Sequence, residues 1–308
     1  MISSVGKNPV IGEAASIWLA PGRRGKILAV VSRAAYLLTE PGELVWLASE
    51  GSPMHRRCIR WPVPLPNLAV DTNFVVRGRS IDLASGTSLD LGSSEIWQAP
   101  VFPGWQAIDL DILSNRFFAV VETFLSQEMP LGVGLFIRPV LQIARKMEAN
   151  LSLQSEDIVT GSAWPAVEKI ARACLCRDFP GILKEAGSLI GLGEGLTPSG
   201  DDFLGGLFFA RFLLLCAFPK LFIQASSRLM EWIDANQSRT NLISFTLLKD
   251  NITGHALEPL NRMGIALLTD QPGENVISAA SDLIKVGHST GWSILTGFVT
   301  GILLALPN

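Results

Sequence analysis

The distribution of apolar positions divides the chain into two regimes. Up to about residue 105 the apolar residues fall in short runs with many β-branched side chains, which predicts strands over 26–38, 43–48, 68–76, 80–91 and 94–98. Pro41-Gly42 and Ser85-Gly86 supply turns among them. Pro62, Pro64 and Pro66 alternate in a stretch that cannot donate a full ladder of backbone hydrogen bonds, so it is expected as an extended edge or connection. From Asp109 the period becomes helical, with Leu110, Leu113, Phe117, Val120, Val121 and Phe124 on one face. Helices are then predicted near 155–176, 180–190, 201–218, 220–236, 238–249, 255–268, 273–286 and 291–306.

This pattern predicts an α+β chain, with a β-rich, barrel-like N-terminal half followed by a mainly α-helical C-terminal half. The expected domains are a β-rich unit over 1–108, a connecting helical segment over 109–150 and a helical domain over 151–308 that carries a glycine-rich ligand loop. Composition agrees, because 11 of the 18 prolines and five of the eight tryptophans precede residue 150. Aromatic residues at strand spacing suit a barrel core better than a base-stacking surface.

Two apolar stretches raise the question of a membrane, since mean hydropathy is +0.34. Phe203 to Phe218 is interrupted by Arg211, and Ile294 to Leu306 contains Gly297 and Gly301. Both are shorter than the roughly 20 residues that span a bilayer, so each is read as a buried helix. The start MISSVGKNPVIGEAAS has no basic region followed by an apolar run, so no secretory leader is expected. Net charge is −3, which provides no broad attraction for nucleic acid or an anionic membrane. Four cysteines form neither a disulfide framework nor a zinc pattern, and a reducing, cytoplasmic location fits them.

The chemistry concentrates in Gly191 to Gly206, GLGEGLTPSGDDFLGG, which holds six glycines in sixteen residues. Such a loop exposes backbone amides, and it leads into a buried helix with Thr197 or Ser199 as the expected N-cap. A glycine loop feeding a helix N-terminus suits phosphate or carboxylate. Gly193, Glu194, Gly195, Thr197, Ser199 and Gly200 are therefore candidate ligand contacts. Asp201 and Asp202 cannot point the same way on a helix, so one is expected to face ligand or Mg²⁺ while the other fixes the loop. The plainer alternative is that Ser199 only caps and the two acids only complement the helix dipole. No lysine completes a Walker loop.

A second segment echoes the first. Ser199-Gly200-x-x-x-Leu204-x-Gly206-Leu207 aligns without gaps on Thr290-Gly291-x-x-x-Leu295-x-Gly297-Phe298. If a pseudo-twofold relates the two helices, their N-termini converge on one anion, with Ser289 and Thr290 as further contacts. His255 and His288 stand at glycine-bearing helix starts as candidate proton shuttles or oxyanion donors, each weighed against an ordinary hydrogen-bonded histidine. His55, beside Arg56 and Arg57, is expected at the surface. Ser238-Arg239-Thr240-Asn241 sets a guanidinium between hydroxyls, a pattern suited to phosphate or carboxylate and equally to a plain N-cap.

The glycine motif, Thr240-Asn241 with Ser244, Gly254-His255-Ala256 and Gly287-His288-Ser289-Thr290-Gly291 together resemble a bacterial domain-of-unknown-function family that includes the AllH-type subunit of oxamate carbamoyltransferase, from anaerobic allantoin degradation. The likeness lies within residues 190–300. It implies a subunit of an assembly that interconverts oxalurate and phosphate with oxamate and carbamoyl phosphate, with other subunit types as partners. Asp201, Asp202, His255 and His288 are the catalytic candidates for such a transfer. One position departs from the expected pattern, Ser293 standing where an Asp is expected. Two other classes stay open beside it: a Mg²⁺-dependent kinase or ligase binding a nucleotide or acyl phosphate, and a noncatalytic scaffold subunit.

Overall fold

The computed structural model describes residues 8–101, 107–147, 158–221 and 227–306. Portions of the expected segments 1–108, 109–150, 155–176 and 220–236 lie outside these residues. The chain forms two compact units, Met1–Pro100 and Val101–Asn308.

The first unit is a curled, half-barrel sheet of nine strands with one short helix. Its elements are β1 (Val10–Gly12), α1 (Glu13–Trp18), β2 (Arg24–Val31), β3 (Ala34–Thr39), β4 (Leu44–Ala48), β5 (Cys58–Arg60), β6 (Asn73–Arg77), β7 (Ser80–Leu83), β8 (Ser88–Asp90) and β9 (Glu95–Trp97). Strand order is β8-β7-β6-β2-β3-β4-β5-β1-β9, with β4–β5 and β1–β9 parallel and the other neighbours antiparallel. The expected strand over 26–38 is a hairpin, because Ser32 and Arg33 turn between β2 and β3 without a glycine or proline to mark them. β1 and β5 escaped the sequence pattern, since three residues are too few to show a period. The residues around Pro62, Pro64 and Pro66 form no regular element, as expected of an extended connection. Ile27, Leu37, Val45, Ile59, Phe74 and Ile81 fill the core.

His55 corrects its surface assignment. It is 1% exposed and stacks on Trp46 at 4.9 Å between ring centres, and its Nδ1 accepts from the Arg57 backbone N–H. Flanking arginines suggested solvent, but Arg57 itself turns inward, its guanidinium 4.3 Å over the Trp18 ring.

The second unit is helical: α2 (Leu110–Gln127), α3 (Ile137–Ala144), α4 (Ile158–Leu175), α5 (Phe179–Ala186), α6 (Ser199–Ala217), α7 (Ser227–Ala235), α8 (Leu242–Ile252), α9 (Glu258–Leu268), α10 (Gly273–Leu283) and α11 (Thr290–Ile302). The apolar face of α2 packs into the same core as α3 to α11. At the centre lie α6 and α11. Every residue from Gly200 to Arg211 and from Gly291 to Ile302 is buried, as helices apolar on all sides require. No helix among the described residues is long and apolar enough to cross a membrane.

The two central helices touch through glycine. A Cβ on Gly206 would overlap the Ile294 carbonyl oxygen and lie 2.8 Å from Phe298 N. A Cβ on Gly297 would overlap the Phe203 carbonyl oxygen and lie 3.0 Å from Leu207 N. Under the gapless alignment of the two motifs, Phe203 corresponds to Ile294 and Leu207 to Phe298, so the contacts are reciprocal. That reciprocity is the mark of a local twofold relation. Later positions on α6 meet later positions on α11, so the helices run in the same direction and their N-termini lie together.

Candidate functional site

Three helices begin around the glycine loop. After α5 the chain turns at Gly191, whose φ of +74° puts its hydrogen where a side chain would collide with the Arg239 carbonyl oxygen just before α8. It then folds back so that Gly193 lies against Ser199 N at the start of α6. On the far side the Thr197 hydroxyl meets the Thr290 hydroxyl at 3.2 Å, linking the loop to the first residue of α11. Asn241 completes the frame. Its side-chain oxygen caps α8 by accepting from Ser244 N at 3.0 Å, and its amide donates to the Leu196 carbonyl at 3.0 Å. The positive ends of α6, α8 and α11 therefore gather at one loop.

The two adjacent carboxylates take different parts, because successive helical residues point about 100° apart. Asp201 is 2% exposed and engaged on both oxygens. Oδ1 accepts from Gly191 N at 2.8 Å, and Oδ2 accepts from the Ser244 hydroxyl at 2.7 Å and from the Thr240 hydroxyl. This acid clamps the loop and the start of α8 onto α6. Asp202 points toward α11. Its Oδ2 is buried with no hydrogen-bond partner, and the Thr290 and Thr197 hydroxyls stand beside the carboxyl. Burial pushes its pKa well above the usual carboxylate value; the two hydroxyls offset part of that rise, and the Asp201 charge adds to it.

The other sequence candidates divide by location. Glu194 and Gly195 form the exposed tip of the loop, and Ser199 is half-buried as the first residue of α6. The N-cap position is Pro198, which corrects the expectation of Thr197 or Ser199, and no side chain caps the helix there. Proline's fixed backbone sets the entry angle, which frees the Thr197 hydroxyl for Thr290. Gly200 abuts the Leu189 carbonyl. Thr240 serves Asp201, while Arg239 is exposed and donates from Nη1 to Asn236 Oδ1 at 3.2 Å. Ser289 precedes α11 and its carbonyl accepts from Ser293 N and Ser293 Oγ. Ser293, which replaces an expected acid, is fully buried and spends its hydroxyl on that bond. His288 is exposed beside the converging N-termini.

His255 lies elsewhere. Gly254 presses on the Phe212 ring, thirteen residues along α6 from Ser199, which at the rise of a helix is roughly 20 Å. Gly132 and Gly134, missed from the sequence, do reach the site, packing on Ser289 and Trp292 at the start of α11. Their Gly-Val-Gly spacing was the available signal, and its neighbours carry no polar group that would have drawn notice. Among the described residues no three His, Cys, Asp or Glu side chains gather to hold a metal. Asp201 spends both carboxylate oxygens on donors from the loop and α8.

Residues 189–302 match the family described as oxamate carbamoyltransferase subunit AllH. The match bears out the resemblance read from the glycine motifs. It contains the loop and the three helix starts. No solved structure matches the chain.

Proposed function

We propose, from the family that residues 189–302 match, that the chain is a subunit of an oxamate carbamoyltransferase-type assembly and that its glycine loop binds the anionic part of a substrate. The observation that carries the proposal is the gathering of the N-termini of α6, α8 and α11 around residues 191–198, inside the matched segment. In the reaction, a phosphate oxygen bonds to the carbamoyl carbon of oxalurate, the C–N bond breaks, and the oxamate nitrogen leaves with a proton. The intermediate is a tetrahedral oxyanion, for which each preorganised donor supplies about 3 to 4 kcal/mol. Loop amides near Gly193 and Gly195 and the hydroxyls of Thr197, Ser199 and Thr290 would be those donors. His288 is the histidine placed to serve them, and Arg239 and Glu194 lie on the rim. Partner subunits would complete the site.

A scaffold role is the second reading, favoured by one observation. Asp201 is spent on structural bonds, and Gly200, Gly206 and Gly297 serve close packing. The kinase reading has less support, because Asp201 spends both oxygens on structural bonds.

Thermal unfolding of the chain, alone and with partner subunits, separates these readings. Ligands tested are phosphate, carbamoyl phosphate, oxamate and ATP, with and without Mg²⁺. A ligand at 100 times its Kd stabilises by about 2.7 kcal/mol. A rise with carbamoyl phosphate or oxamate, lost in Thr197→Val, is expected. A response to ATP with Mg²⁺ alone would replace this reading with the kinase one. No response in the complete, active assembly would leave the scaffold.

A further inference from the structure

Helix α6 carries a buried charge without a counter-charge. Arg211 is 5% exposed, and its Nη2 is closed off from solvent with no hydrogen-bond partner. Among the described residues its guanidinium joins no ion pair, and its partial compensation is the Phe179 ring, 4.4 Å away at the start of α5. An unpaired buried charge destabilises a fold strongly, and it is tolerated where something outside the chain supplies the partner. Arg211 stands twelve residues along α6 from Ser199, roughly 18 Å at the rise of a helix, so it is no part of the glycine loop.

The surrounding groups do not answer the charge. Phe208, Leu214 and Leu215 share the helix face of Arg211, the first two buried and the third half-buried. Asp178, next to Phe179, is exposed and caps α5, its Oδ1 accepting from Gly181 N at 3.0 Å. Turning it toward Arg211 would strand that amide. Arg177 brings a further positive charge to the same turn and donates from Nε to the Leu304 carbonyl oxygen at 3.0 Å. Because Arg177, Asp178 and Pro180 are exposed and Phe179 is half-buried, the guanidinium lies one side chain below the surface.

Charge balance and shape select the guest. Burial draws the guanidinium pKa down only to about 10, so it keeps its single positive charge at neutral pH. Its planar edge offers paired N–H donors that match the two oxygens of a carboxylate. A monocarboxylate therefore cancels the charge one for one. Inorganic phosphate would carry more than one negative charge and further oxygens into walls made of Phe179, Phe208 and leucine, where nothing else donates to them. The same walls suit a short apolar substituent. We propose that Arg211 and Phe179 form a second ligand site, separate from the glycine loop, for a short-chain monocarboxylate. The guest displaces the edge of the Phe179 ring, accepts from the Arg211 guanidinium and lays its apolar part on the helix face.

The test follows the thermal midpoint of the full chain, with and without its partner subunits, as propionate replaces chloride at constant ionic strength. Propionamide, a neutral isostere, and inorganic phosphate are run beside it. Each midpoint is read against the same variant without ligand, so any intrinsic stabilisation by Arg211→Met drops out, and that variant keeps an apolar side chain suited to its surroundings. Propionate is expected to raise the wild-type midpoint, as a ligand bound only by the folded chain does, and propionamide is not. Arg211→Met is expected to weaken the apparent propionate affinity by about tenfold or more, and Arg211→Lys, which keeps the charge without the planar fork, by less. Thr197→Val, at the glycine loop, should leave the propionate response unchanged, and any response to phosphate should persist in Arg211→Met. An absent propionate response, or equal responses in wild type and Arg211→Met, would overturn the inference. So would a response lost in Thr197→Val alone, which belongs to the loop, or one matched by propionamide, which ignores charge. A phosphate response abolished by Arg211→Met would overturn the choice of guest. Loss of propionate binding when partner subunits are added would overturn the small-ligand site in favour of an acidic side chain from a partner. None of these outcomes depends on what the glycine loop binds.

Discussion

Substituting Gly206 by alanine tests the central helix crossing directly. The new Cβ would overlap the Ile294 carbonyl oxygen and lie 2.8 Å from Phe298 N, both backbone atoms of a fully buried helix. Neither can swing aside, so α6 and α11 must separate by a substantial fraction of an ångström. Overpacking of a tight core costs about 1 to 3 kcal/mol and sometimes more, while replacing a helical glycine returns up to about 1 kcal/mol. Because two backbones are forced apart over the Phe203 and Phe298 contacts, the upper part of the range applies, and a net loss of about 2 to 3 kcal/mol is expected. The neighbouring Gly205→Ala is the control. Its Cβ would meet only the Asn251 side-chain amide, at 3.0 Å, which can rotate away. Its expected change is within about 1 kcal/mol of zero. Urea unfolding followed by helical circular dichroism reads the second unit, and the Gly206→Ala midpoint should fall well below the other two. For a unit of this size the thermal midpoint should drop by about 4 to 12 °C. Equal midpoints for Gly205→Ala and Gly206→Ala would refute the backbone-contact argument.

Asp201→Ala should cost about 3 to 5 kcal/mol in urea unfolding, since it strands Gly191 N and the Thr240 and Ser244 hydroxyls in a buried setting, and proteolysis near residues 191–198 should quicken. Asp202→Asn should stabilise the chain at neutral pH. Above the unfolded value near 3.8 the unfolded chain sheds its proton while the folded one retains it, so wild-type stability falls by up to about 1.4 kcal/mol per pH unit until Asp202 ionises. The variant lacks that slope, and a constant difference between the two from acid to neutral pH would contradict the assignment. Arg211→Met should raise stability by about 1 to 3 kcal/mol. Burial draws this guanidinium's pKa down to about 10, and its Nη2 is unpartnered, with the Phe179 ring at 4.4 Å as partial compensation. A loss of stability in that variant would show that the stacking outweighs desolvation. His288→Ala should weaken oxamate binding and His255→Ala should leave it unchanged, as read by titration calorimetry, because only the first lies at the helix starts.

Much of this architecture is local and therefore readable along the chain. Long apolar stretches at Phe203 to Phe218 and Ile294 to Leu306 point to central helices, and short β-branched runs before residue 105 point to strands. The glycine loop and the echo at Thr290 were also visible, since helix-start chemistry needs its residues within one turn. Three-residue strands such as β1 were not, because pairing with β5 and β9 holds them rather than any pattern of their own. Nor could spacing assign the two adjacent acids. Asp201 became a clamp through Thr240 and Ser244, about forty residues away, and Asp202 was turned toward the Thr197 and Thr290 hydroxyls at the start of α11. The same holds for the histidines, two of which share a glycine-bearing context while only His288 stands just before a helix that starts at the loop. Sequence fixes what a segment can form by itself; which side chain is satisfied, buried or free to meet a ligand depends on neighbours that only the folded backbone brings within 3 Å or so.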